Sequence, residues 1–138
     1  MNLDITKVLI RSDEGLRLKR YLCSEGKPTI GYGHAHGEIP ETCTLEEAED
    51  WLDDDVQQAI GDARSVCPVF DALSDNRQAV LVSMAFQLGR DGLGKFKRFL
   101  AAVNRGNFAE AAEEMKDSRW YKQTPNRAER LRTMMRVG

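Results

Sequence analysis

A chain of 138 residues, 41% apolar and 30% charged, suits one compact domain that buries roughly two-thirds of its unfolded surface without a disulfide or metal staple. That composition excludes collagen, coiled coil and long disorder, and no apolar run approaches the ~20 residues needed to span a bilayer. The net charge is −2, but residues 38–75 hold twelve acids against one base, and residues 90–138 hold twelve bases against six acids. A cationic face on the C-terminal third would suit a polyanion, and two solvated helix faces would give the same pattern.

Residues 1–11 have no apolar core or cleavage site and do not read as a signal peptide, so another route would have to carry the chain out of a cytoplasm. Leu3, Ile5, Val8 and Leu9 predict a short first helix ending near Arg11 or Ser12. Leu16 and Leu18 then alternate with Arg17 and Lys19, a period of two. Ser24-Glu25-Gly26 signals a turn, and Thr29-Ile30-Gly31-Tyr32-Gly33 reads as a second strand. Residues 16–39 therefore predict a small antiparallel hairpin or meander. Its glycines at 31 and 33 suggest close approach of a backbone or a ligand.

Thr44-Leu45-Glu46-Glu47 has the capping-box pattern, and apolar residues recur at helical spacing from Leu45 to Ala63. The predicted helix, about 45–64, is long enough to connect two lobes, and Pro68 enforces its end. Ser74 or Asp75 can cap a helix over 76–88 that is apolar nearly all round and so central. Gly89, Gly92 and Gly94 predict a break. Three shorter helices follow, carrying Phe96 to Val103, Phe108 to Met115, and Leu131, Met134 and Met135 after Pro125. The fold class is α+β, mainly α, in a single domain over 1–138.

Cys23, Cys43 and Cys67 are odd in number and fit no zinc spacing, so free thiols are the default. The two histidines, His34 and His36, offer no metal set, and no cofactor is expected. Glu14 falls where the first helix gives way to the sheet. A carboxyl held there and partly desolvated can carry a raised pKa and donate a proton. On its own, a glutamate at a helix end is more often solvated.

The residues around it change that weighting. Glu14, eight residues, Cys23, five residues, Thr29 and then Ile30-Gly31-Tyr32-Gly33-His34 resemble the signature of the phage-type lysozymes, glycoside hydrolase family 24. The blocks Met84-Ala85-Phe86-Gln87-Leu88-Gly89 and Ser118-Arg119-Trp120-Tyr121-Lys122-Gln123-Thr124-Pro125-Asn126-Arg127-Ala128 extend the resemblance in the same order. It implies a two-lobed fold: a small sheet-containing lobe near 13–50, a connecting helix near 45–64, and a helical lobe from 1–12 and 65–138. It further implies cleavage of the β-1,4 bond between N-acetylmuramic acid and N-acetylglucosamine in bacterial peptidoglycan. Glu14 would be the general acid, Cys23 would fill the position usually held by Asp, and Thr29 would help hold the attacking water in an inverting geometry. Glu25, Gln87 and Arg127 would contact substrate or the acid, and His34 would pair with Asp55. Trp120 and Tyr121 read as core, with sugar stacking as the alternative.

Cys23 is the departure, because a thiol with a reference pKa of ~8.5 is mostly neutral at pH 7. Its thiolate could act as base or nucleophile, Thr29 and water could suffice, or the enzyme could be a lytic transglycosylase that needs no attacking water. A small buried cysteine without a chemical role is the bland alternative. The leading reading is a muramidase that lyses walls for a phage. A non-catalytic wall-binding virion module is the second. The expected partner is peptidoglycan, with no nucleic acid, no membrane span and a monomeric state. The expected location is the host cytoplasm until a holin opens the way to the periplasm, or the virion itself.

Overall fold

The computed structural model describes residues 1–138. Helix α1 (Leu3–Glu14) is capped by Asn2, whose side chain accepts from the Asp4 amide, and it ends on Gly15 at φ 70°. It runs past the predicted stop at Arg11 or Ser12, because the polar Ser12-Asp13-Glu14 segment keeps helical geometry until glycine turns the chain. Its buried face is Thr6 and Ile10, and Val8 is 62% exposed.

Strands β1 (Arg17–Leu22) and β2 (Pro28–Gly31) form an antiparallel hairpin with a bulge between Arg17 and Tyr21. The chain after it returns to β1, where the Arg20 amide donates to the Glu41 carbonyl and the Cys43 amide to that of Leu18. The alternation in β1 buries neither face: Leu16, Leu18 and Leu22 are all exposed. Helix α2 (Leu45–Val66) packs on β2, leaving β1 uncovered, so burial falls on Thr29, Ile30 and Gly31.

The capping box at Thr44 and Glu47 forms in full, and at 22 residues α2 is about 33 Å long. Its last turns pack with a short 3-10 turn, Phe70–Ala72, that the periodicity did not reveal. Helix α3 (Asp75–Gly94) starts on the Ser74 cap and buries every residue from Gln78 to Ala85. Only Gly89 leaves helical geometry, at φ 75° and ψ 172°; the chain resumes as helix through Gly92 and Gly94. Then come α4 (Lys97–Asn104), α5 (Phe108–Lys116), α6 (Arg119–Gln123) and α7 (Pro125–Val137). The one-turn α6 had no apolar periodicity to announce it.

The core lies among α2, α3, α5 and α7, with Phe70, Phe99, Leu81, Met84, Met115, Leu131 and Met135 fully buried. Helix α1 packs on α3, so the N-terminal segment belongs with the helices and not with the sheet that follows it. This is the α+β, mainly helical, class that the sequence predicts.

Candidate active site

A cleft of about 1660 Å³ runs between the hairpin and α2 on one side and the kinked end of α3, α4 and α6 on the other. Glu14, Cys23, Thr29, Glu25, Gln87, Arg127 and Asp55 all line it, while His34 lies behind it.

Glu14 is the last residue of α1, and its side chain is only 19% exposed. Burial holds its carboxyl above the ordinary range; the Arg127 guanidinium, 3.6 Å away, pulls it down, and the Asp13 charge pushes it up. The helix C-terminus adds a negative partial charge of the same sign as the carboxylate. Burial wins, so protonated Glu14 persists to higher pH than a free carboxyl. Gly33 presses against it: a Cβ built there would lie 2.9–3.1 Å from the Glu14 carboxyl atoms, and the residue sits at φ 71°. The positive φ favours glycine there, and a larger residue would also displace the Glu14 carboxyl.

Asp13 is a site residue that the sequence reading missed. Both Arg130 terminal nitrogens bond its Oδ1 at 2.7 Å, Arg127 Nε lies 3.3 Å from its Oδ2, and its side chain is 5% exposed. The available signal was an acid next to Glu14 facing two bases, Arg127 and Arg130, on one face of the last helix. Asp13 shares the Arg127 charge that would otherwise act on Glu14 alone. Asp13→Asn is therefore expected to move the alkaline limb of the kcat/KM profile to lower pH, and Arg127→Gln to move it to higher pH. A pH–rate series on the two variants checks the opposite signs.

Cys23 opens the hairpin turn: its amide donates to the Lys27 carbonyl and its carbonyl accepts from Gly26. The Lys27 and Glu25 amides and the Thr29 hydroxyl lie by the sulfur and lower its pKa. Thr29 is 3% exposed, and its Oγ1 donates to the Lys27 carbonyl at 2.9 Å. Its proton thus has two acceptors within reach, the Lys27 oxygen and the Cys23 sulfur, and its own lone pairs remain for a water. Tyr21 also lines the cleft, and its phenol pKa is raised by burial and by the Glu14 charge.

Gln87 has its amide oriented by Trp120, whose indole Nε1 donates to Gln87 Oε1 at 2.8 Å. Trp120 is 4% exposed, so it supports the cleft wall from within. Arg132 and, after it, the Tyr121 hydroxyl 2.8 Å away hold the Glu129 carboxyl down at about 2. Glu25 is well exposed on the rim, with Lys27 3.9 Å away.

His34 Nδ1 lies 2.7 Å from Asp55 Oδ2, and its ring stacks on Trp51 at 4.8 Å, tying the segment after β2 to α2. Both partners are 11% exposed. A double-mutant cycle of His34→Ala and Asp55→Ala in urea is expected to show coupling of about 1.5–3 kcal/mol, the range of a hydrogen bond to a charged group. Additive losses would show that the contact carries no stability.

The phage lysozyme family model matches residues 11–136. The chain is 36% identical to the pre-baseplate central spike protein Gp5 of Enterobacteria phage T4, over 94% of this chain but only 27% of the spike protein. It is 31% identical to "Probable T4-type lysozyme 2" of Dictyostelium discoideum, covering 96% of this chain and 94% of that protein. An endolysin of Acyrthosiphon pisum secondary endosymbiont phage 1 is 33% identical over 86% of this chain and 79% of its own. A match across residues 11–136, on a helical fold whose cleft holds a buried carboxyl beside a guanidinium, shows that the chain belongs to the phage lysozyme family and is a glycoside hydrolase.

Proposed function

We propose that this lysozyme cuts the β-1,4 bond between N-acetylmuramic acid and N-acetylglucosamine, with Glu14 as the general acid. The supporting observation is the Glu14 carboxyl itself: cleft-lining, largely buried, and held toward its protonated form against the nearby Arg127. Protonated Glu14 gives its proton to the leaving glycosidic oxygen. A water resting on the Thr29 oxygen attacks the anomeric carbon from the other face, and Cys23 assists by holding the Thr29 hydroxyl. Glu25, Gln87 and Arg127 contact the sugar chain or the acid, and the His34–Asp55 pair braces the sheet against α2. In this reading residues 13–50 and the remaining helices are the two walls that the glycan passes between.

Mass spectrometry of muropeptides released from sacculi tests the reaction. Hydrolysis gives reducing muramic acid. Products lighter by one water, with an anhydro ring, would make the enzyme a lytic transglycosylase instead.

Two routes to the wall follow from the relatives. As an endolysin, the protein would wait in the host cytoplasm as a monomer until a holin admits it to the periplasm. The likeness to the T4 spike protein favours carriage in the virion as the second reading. Proteomics of purified particles separates them. No helix is long and apolar enough to cross a membrane.

A further inference from the structure

Three cleft-lining bases clustered within residues 95–98 have no role in the chemistry above. Lys95, Lys97 and Arg98 are exposed where α3 ends and α4 begins, and all line the cleft. Neighbouring bases pair: Arg90 with Asp91, Arg105 with Glu110, Lys116 with Glu113. These three, like the exposed Arg119 across the cleft, have no carboxylate within 4.0 Å, although Glu114 and Asp117 line the same cleft. The start of α4 makes the charge more costly. Its N-cap is Phe96 with no side-chain cap, and its first turn holds two bases and no acid. Cations at the positive end of a helix dipole are the reverse of the stabilising arrangement. The lip therefore presents uncompensated positive charge to whatever enters the cleft.

Resting on the muramidase reading, we infer that Lys95, Lys97 and Arg98 bind the carboxylates of the peptide branches borne by the glycan's muramic acid. The sugar chain itself is uncharged, and its anionic groups sit on those branches. A branch leaves the glycan at the sugar beside the cut bond, so it must lie along the same cleft as Glu14. The Arg98 fork can take a carboxylate through two parallel bonds, and the lysines add point charge.

Co-sedimentation with sacculi tests this in a Glu14→Gln background, where binding is read without catalysis. The protein is compared with its Lys95→Ala/Lys97→Ala/Arg98→Ala version on native sacculi and on sacculi whose peptide carboxylates are amidated. The parent is expected to bind native sacculi about tenfold more tightly than amidated ones, and the triple variant about equally to both. A second variant, Lys97→Glu/Arg98→Glu, is expected to lose the preference while melting no lower than the parent, because acids suit that helix end. A purely structural role would lower its melting temperature and leave the preference intact. The inference is overturned if the triple variant keeps the parent's preference, or if the parent has none. It is overturned as well if stripping phosphate polymers, with carboxylates untouched, removes the parent's preference. Failure of the muramidase reading shows separately, as the absence of muramic-acid-ended products from the wild type.

Discussion

Glu14→Gln is expected to lower lytic activity by about 10²–10⁴-fold and, at neutral pH, to raise the melting temperature. The first effect follows from removing the proton while keeping the shape. The second follows from the direction of the pKa shift. Burial lifts the folded carboxyl above its unfolded value of ~4.3, so ionising it costs more in the folded protein. The stability linked to this group is complete below the unfolded value and is lost as pH rises through the folded one. Gln never ionises and escapes that loss. It also gives up the Arg127 attraction, but burial is the larger of the two opposing causes, so the net change is a gain. Thermal melts of the two proteins should converge near pH ~4 or below and separate toward pH 7, with the variant higher. An active Gln variant would remove Glu14 from the acid role. A variant that melts lower at neutral pH would mean that the Arg127 pair outweighs burial.

The second large effect is expected at Thr29. Thr29→Val keeps the volume in a nearly closed site but loses both the bond to Lys27 and the oxygen proposed to hold the water, and should cost about 10²-fold or more. Cys23→Ser should be reduced yet active, because a serine hydroxyl can still meet the Thr29 hydroxyl and the turn amides. Cys23→Asp should be active, since the same amides that lower the thiol pKa would receive a carboxylate. These three activities, measured with Glu14→Gln on one substrate, separate assistance from nucleophilic attack. A working thiolate nucleophile would leave the Ser variant as inactive as Glu14→Gln, because a hydroxyl is far harder to ionise. Iodoacetamide adds a control. Equal inactivation of wild type and Cys23→Ala would move the sensitive thiol to Cys43 or Cys67. Both of those have pKa values raised by burial, which makes them the less reactive pair.

Legibility in the sequence varied with the reach of the signal. The capping box at Thr44 and the Ser74 cap are local, set within four residues, so the first of these helix starts was readable to the residue and the second to within one. The all-round apolar stretch of α3 announced its own burial. Helix α6 and the 3-10 turn at Phe70 are too short for a period to show, and the exposed leucines of β1 depend on what α2 leaves uncovered. The spacing from Glu14 through Cys23 to Thr29 was visible as a motif. Asp13 was not, because its partners Arg127 and Arg130 lie at the other end of the chain, and only the packing of α7 beside α1 brings them together.

That separation has a consequence for the chain as it is made. Asp13 and Arg130 are 117 positions apart, so the groups that set the acid's proton affinity come from the first helix and the last. During synthesis Asp13 and Glu14 emerge well before the two arginines. Until they do, Asp13 has no counter-charge and α1 has no completed helical surface around it. A nascent or prematurely stopped chain thus carries Glu14 without the neighbours that tune it. The charge environment of Glu14 is therefore complete only in chains that have been made at least through α7.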